Sequence, residues 1–243
     1  MDTVKSSFQM ATAQVPKHIV PIGAFVATCV ILAASANLIS AGPMPFVVRA
    51  PLLLALIALF GVVTASFAVG THRLVLLSET RRGLGFFRVD KATLKYMALF
   101  IAIPATQFLS LVVAGALLKP LGLIGLGVEI LVLMFVVIRL YFRTPLMFPA
   151  IAIGEPNARL RDCWDQMYGN AVTFLFGAFL ITLPAGILGW AFDRAGPALS
   201  QQVALPIEMI TYAATVFVGA IYVSLSYDLL VRQAETAETP AAA

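Results

Sequence analysis

Few residues in this 243-residue chain could do chemistry: two histidines, two cysteines and a small set of charges that fall inside apolar runs. His18 and His72 are too far apart in sequence to suggest a local metal site. Cys29 and Cys163 match neither a disulfide framework nor a C-x-x-C ligand pair. Cys29 stands in an apolar run, where a thiol behaves as a small apolar residue, and Cys163 lies in a charged connection. The H-E-x-x-H, G-x-S-x-G and Walker patterns are missing. Gly83-Leu84-Gly85 lacks the third glycine and the preceding strand of a nucleotide fingerprint, so it reads as a turn. Nothing here calls for catalysis, a metal or a cofactor.

The charges within the apolar runs are more informative, because an ionised group in hydrocarbon must find a partner or water. Glu129 lies deepest, about nine residues into its run and roughly 15 Å along a helix from Lys119. Arg49 and Glu208 stand near the ends of theirs, as does Asp228, and Asn37 and Gln107 add neutral polar groups. A functional reading makes Glu129 a proton or cation site. The structural reading pairs it with Arg49, with Gln107 as the fallback partner, or lets it reach toward the surface. We expect the structural pair, Arg49 with Glu129.

What must position these residues is set by composition. The chain is 60% hydrophobic and only 12% charged, against about 45–50% and 25% in a soluble domain. A single aqueous core could not bury that much apolar surface, so a bilayer is the solvent that fits. Six stretches approach the roughly 20 residues needed to cross it: 19–39, 46–69, 96–118, 121–140, 172–192 and 203–230. No alternating β-barrel pattern is present, and in lipid the backbone then satisfies itself as helix. The expected fold is an all-α, polytopic transmembrane bundle of six spans. Residues 1–18 form an N-terminal segment, 19–231 the membrane domain, and 232–243 a small, acidic, disordered tail.

Lys and Arg orient the bundle. Lys5 and Lys17 precede the first span, and Arg73, Arg81, Arg82, Arg88, Lys91 and Lys95 lie between the second and third. Arg139, Arg143, Arg159 and Arg161 lie around the fourth-to-fifth connection, and Arg232 follows the sixth span. The opposite connections hold only Arg49, Lys119 and Arg194. The positive-inside rule therefore places both termini in the cytoplasm. Net charge is +4, and these cations sit where anionic lipid of the cytoplasmic leaflet attracts them, so lipid rather than nucleic acid is the expected partner. Ala34-Ser35-Ala36 looks like a signal-cleavage site, but the charge alternation requires the first span to be kept.

The connection 154–170 has Leu160, Trp164 and Tyr168 at a spacing of four, interleaved with Arg159, Arg161, Asp162 and Asp165. That is the pattern of a short helix at the membrane surface, with Trp164, Arg159 and Arg161 as anchors. An echo also runs through the chain. Ala98-Leu99-Phe100-Ile101-Ala102-Ile103-Pro104-Ala105 is similar to Ala178-Phe179-Leu180-Ile181-Thr182-Leu183-Pro184-Ala185. Spans two and three are thus expected to repeat as spans four and five, with Pro104 and Pro184 equivalent. Such repeats are common in transporters.

Two basic-loop stretches carry a family resemblance. One is Thr71-His72-Arg73-Leu74-Val75-Leu76-Leu77-Ser78-Glu79. The other is Phe148-Pro149-Ala150-Ile151-Ala152-Ile153-Gly154-Glu155, followed by Trp164 and Gly169-Asn170. They resemble YciC-type bacterial inner-membrane proteins and the membrane region attached to some glycerophosphodiester phosphodiesterases. The resemblance covers spans two to five and implies a six-span membrane fold, but those families bring no settled activity. The hydrolytic barrel of the phosphodiesterases has no counterpart in these residues. Two functions remain. The first is a non-enzymatic accessory, scaffold or membrane-organising subunit, in a protein complex or homo-oligomer, favoured by sparse polar groups and by Gly61, Gly115 and Gly127 for close helix packing. The second is a small transporter or lipid-handling permease, favoured by the echo, its prolines and Glu129.

Overall fold

The computed structural model describes residues 2–79, 83–155, 160–195 and 201–232. Every element among them is helical: α1 (Asp2–Gln14), α2 (Ile19–Ala41), α3 (Phe46–Leu77), α4 (Lys91–Leu118), α5 (Gly122–Arg143), α6 (Met147–Ile153), α7 (Leu160–Gln166), α8 (Ala171–Ala195) and α9 (Gln201–Tyr227). Five helical segments are long and apolar enough to cross a membrane: Ile19–Ala41, Phe46–Leu77, Lys91–Leu121, Ala171–Ala191 and Val203–Arg232. α5 occupies the place of the expected fourth span and has 22 residues, so it is about 33 Å long. The tail beyond Arg232 lies outside the described residues.

Local chemistry sets the ends. Gly42-Pro43-Met44-Pro45 stops α2 and opens α3, because neither proline can continue a helix and each biases the residue before it toward extended backbone. Asp90 caps α4 by accepting from the Thr93 backbone N–H at 3.0 Å. Ser78, at φ 53°, ends α3 in the left-handed conformation, and Gly154, at φ 76°, does the same for α6.

α3 and α9 form the centre. Thr64 to Val69 of α3 are buried without interruption, and α9 buries Ala213, Phe217, Ala220, Ile221, Tyr222, Ser224 and Tyr227. α2 packs on both helices, α4 on α3, and α8 on α9. α5 leans mainly on α4 and more lightly on α8. Phe25 of α2 stacks face to face on Phe67 of α3, with ring centroids 4.2 Å apart. An offset pair of this kind adds about 0.5–1.5 kcal/mol beyond area burial.

A second layer closes the end of the bundle that carries the basic connections. α6 packs on α3, α4 and α9. Phe86, in the turn Gly83–Phe86, lies so close to Gly70 that a Cβ there would meet its ring at 2.6 Å. α1, which the sequence suggested only as a polar segment, is a helix packed on α9, with Ser7 and Ala11 buried one turn apart. α7 falls in the connection where a surface helix was expected; Cys163 of α7 and Met167 in the turn after it are buried, while Tyr168 is 80% exposed.

Pro104 and Pro184 are each the fourteenth residue of their helices, α4 and α8. The α8–α9 contact depends on a small residue, since a Cβ at Gly177 would overlap the Tyr222 hydroxyl and approach its Cζ to 2.7 Å. Gly177→Ala is therefore expected to lower stability by about 1–3 kcal/mol through overpacking. Thermal unfolding in detergent measures this, and a second change, Tyr222→Leu, should recover part of the loss.

Candidate functional site

α3 has 32 residues and is about 48 Å long, well beyond the roughly 30 Å of hydrocarbon. Its last turns therefore carry polar residues into the basic end of the bundle. His72 is 1% exposed there. Its Nδ1 lies 2.7 Å from Ser224 Oγ of α9, and its Nε2 lies 3.2 Å from the Tyr96 hydroxyl of α4. Ser224 donates its single hydroxyl proton to the Ala220 carbonyl at 2.8 Å. It must therefore accept from His72, so the neutral ring carries its proton on Nδ1 and accepts from Tyr96 at Nε2. Three helices are joined in this way with every donor used.

The next residue makes a second junction. Arg73 Nε donates to the Ala152 carbonyl of α6 at 2.7 Å, and Nη1 donates to Asp90 Oδ2 at 3.0 Å. Arg88 Nε lies 3.3 Å from the same oxygen, and Arg88's own carbonyl accepts from Thr93 and from Ser66. Burial alone would raise the Asp90 carboxyl, but the Thr93 backbone N–H and the Arg73 guanidinium outweigh it and hold it below the ordinary carboxylate range. On the far side of α6, Tyr227 donates to Glu155. Arg232 reaches the Leu76 carbonyl at 3.3 Å and pairs with Asp228 at 3.5 Å in the π-helical turn Asp228–Arg232.

Above this lock lies a chamber of about 250 Å³ between α3, α4, α6 and α9. Its wall is mostly apolar, with His72, Tyr96 and the Thr64–Tyr212 pair, 3.2 Å apart, as the polar points. It is large enough for a few water molecules or a small apolar group.

The residues expected from sequence lie largely apart from this lock. Arg49 donates from Nη2 to the Gly42 and Met44 carbonyls at 2.9 and 2.8 Å, so its described bonds close the α2–α3 turn. The side chain of its expected partner, Glu129, lies outside the described residues, as does Arg159. Gln107 is half-buried on α4, and Asn37 and Glu208 are exposed. Arg161 is exposed, 3.9 Å from Asp165, and Trp164 is partly buried on α7. His18 tilts against Phe86 with ring centroids 5.6 Å apart.

No protein-family model, curated protein or solved structure matches this chain. The geometry nevertheless gives the two resemblance-bearing stretches a physical role. They pack on one another, with Arg73 of the first bonded to Ala152 of the second, and Glu155 closing the second onto α9. Sequence reasoning missed the lock because its members lie 24 and 152 residues from His72. The available signal was local: Thr71 and His72 interrupt an apolar run before the first basic residue.

Proposed function

We propose that this chain is a non-enzymatic integral membrane protein, an accessory or membrane-organising subunit of a bacterial inner membrane, with α5 as a sixth crossing and both termini cytoplasmic. One observation carries the reading. Among the described residues, the polar groups that join α3, α4, α6 and α9 bond one another, which supports a fixed arrangement rather than convergence on a bound molecule. The outer faces of α4, α5 and α8 present large apolar side chains, Leu117, Leu131 and Val172 among them, to lipid or to a partner's helices.

The permease reading draws on the chamber beside His72 and on the prolines inside α4 and α8. Reconstitution separates the two. Vesicles holding the purified protein are expected to show no ion or lipid flux above empty vesicles, and native membranes to hold the protein in an assembly larger than one protomer. Flux that falls on Tyr212→Phe or Thr64→Val would move the conclusion to the permease. Reporter fusions after Gly42 and after Arg232 should fall on opposite sides of the membrane, and the same side for both would end the six-span topology.

A further inference from the structure

We propose that the cleft between the first turns of α4 and helix α6 binds a phospholipid whose headgroup joins a phosphodiester to a primary ammonium. This goes beyond the accessory-subunit reading and stands whether or not that reading holds. The cleft has a volume of about 590 Å³ and is lined by Lys91, Lys95 and Glu155 together with Ala98, Met147 and Ile151.

Charge identifies the occupant. Lys91 and Lys95 are one turn apart on α4, so their side chains share a face about 5–6 Å apart at Cβ. Both are exposed, and neither has an ion-pair partner among the described residues. Two ammonium groups so placed match one phosphodiester. Glu155 stands at the same cleft, set there by the left-handed turn at Gly154 and held by the Tyr227 hydroxyl. That carboxylate disfavours a plain anion. A headgroup carrying its own ammonium two carbons from the phosphate meets all three charges with the correct signs.

Position identifies the ligand as a lipid. Lys91 opens an apolar span that runs to Leu121, so the lysines stand where hydrocarbon gives way to water. Ala98, Met147 and Ile151 supply apolar wall for the start of the acyl chains. The α6 wall is the element that Arg73 ties to α3, so the headgroup rests on the fixed part of the bundle.

The full chain, purified in mild detergent, is titrated with phosphatidylethanolamine or phosphatidylglycerol of equal chain length, and retention is read by native mass spectrometry. Phosphatidylethanolamine is expected to be retained preferentially. Lys91→Gln with Lys95→Gln should lower its retention about tenfold. Glu155→Gln should reverse the preference toward phosphatidylglycerol. Glu155→Gln lowers retention of both lipids alike if it simply folds poorly, so a reversal of preference at an unfolding temperature close to that of the parent separates recognition from misfolding. Soluble phosphoethanolamine at millimolar concentration should not compete. Equal retention of the two lipids, insensitivity to the lysine pair, an unchanged preference in Glu155→Gln, or displacement by the soluble headgroup would each overturn the proposal.

Discussion

Arg73→Met is expected to lower the stability of the bundle by about 3 kcal/mol or more, the range for removing one partner of a largely buried ion pair. The substitution leaves Asp90 with only the more exposed Arg88 guanidinium, 3.3 Å from the same oxygen, and the Ala152 carbonyl without its donor, and so unfastens α6 and the α4 cap from α3 together. Arg73→Lys keeps the charge but has no planar fork for two bonds in two directions, so an intermediate loss is expected. Unfolding by heat or denaturant in detergent measures both. The same pair gives a pH dependence. The folded Asp90 carboxyl lies below its ordinary value of 3.8, so the unfolded chain takes up the proton first as pH falls. The stabilisation is complete above that value and is lost as pH drops through the lower folded value. Asp90→Asn should therefore start less stable at neutral pH and lack this part of the acid-induced loss. An acid profile identical to that of the parent would show that Asp90 does not titrate with folding.

The second large effect is expected at His72. In His72→Leu the Tyr96 hydroxyl loses its acceptor and Ser224 loses a donor, both in a closed site. An unsatisfied buried group costs about 1–3 kcal/mol, and the lost packing adds to it. The two hydroxyls are not equivalent. Ser224 still has the Ala220 carbonyl, whereas Tyr96 has no second described partner, so most of the penalty should vanish when Tyr96→Phe is added. Ser224→Ala in the same background should recover little. A double-mutant cycle reads these couplings, and equal coupling to both hydroxyls would contradict the assigned tautomer.

Helix placement was legible in the sequence because hydrocarbon length and backbone self-satisfaction leave little choice once apolar runs of about 20 residues are counted. The lock was not, because its contacts are fixed by which helices become neighbours, and apolar sequence does not encode that order. Arg49 shows a bond that the search for a distant carboxylate passed over: carbonyls five and seven residues back accept from its Nη2. The physical reason is local: the carbonyls of Gly42 and Met44 lie in the turn between α2 and α3, and the prolines at 43 and 45 offer no backbone donor there. α1 was missed for a related reason. Its buried face is made of Ser7 and Ala11, residues too small to register as an apolar stripe.

The position of α9 at the centre of the bundle has a consequence in time. A ribosome delivers His72 152 residues before Ser224, an interval of roughly ten to thirty seconds at ordinary elongation rates. Until the last span is inserted, Phe25, Phe67 and the inward face of α1 have no central helix to close upon, and the imidazole lacks one of its two partners. The nascent protein must therefore wait in the membrane with its future interior open to lipid or to a chaperone. Premature stop codons upstream of residue 201 should release chains in that open condition, suited to rapid degradation by membrane quality control.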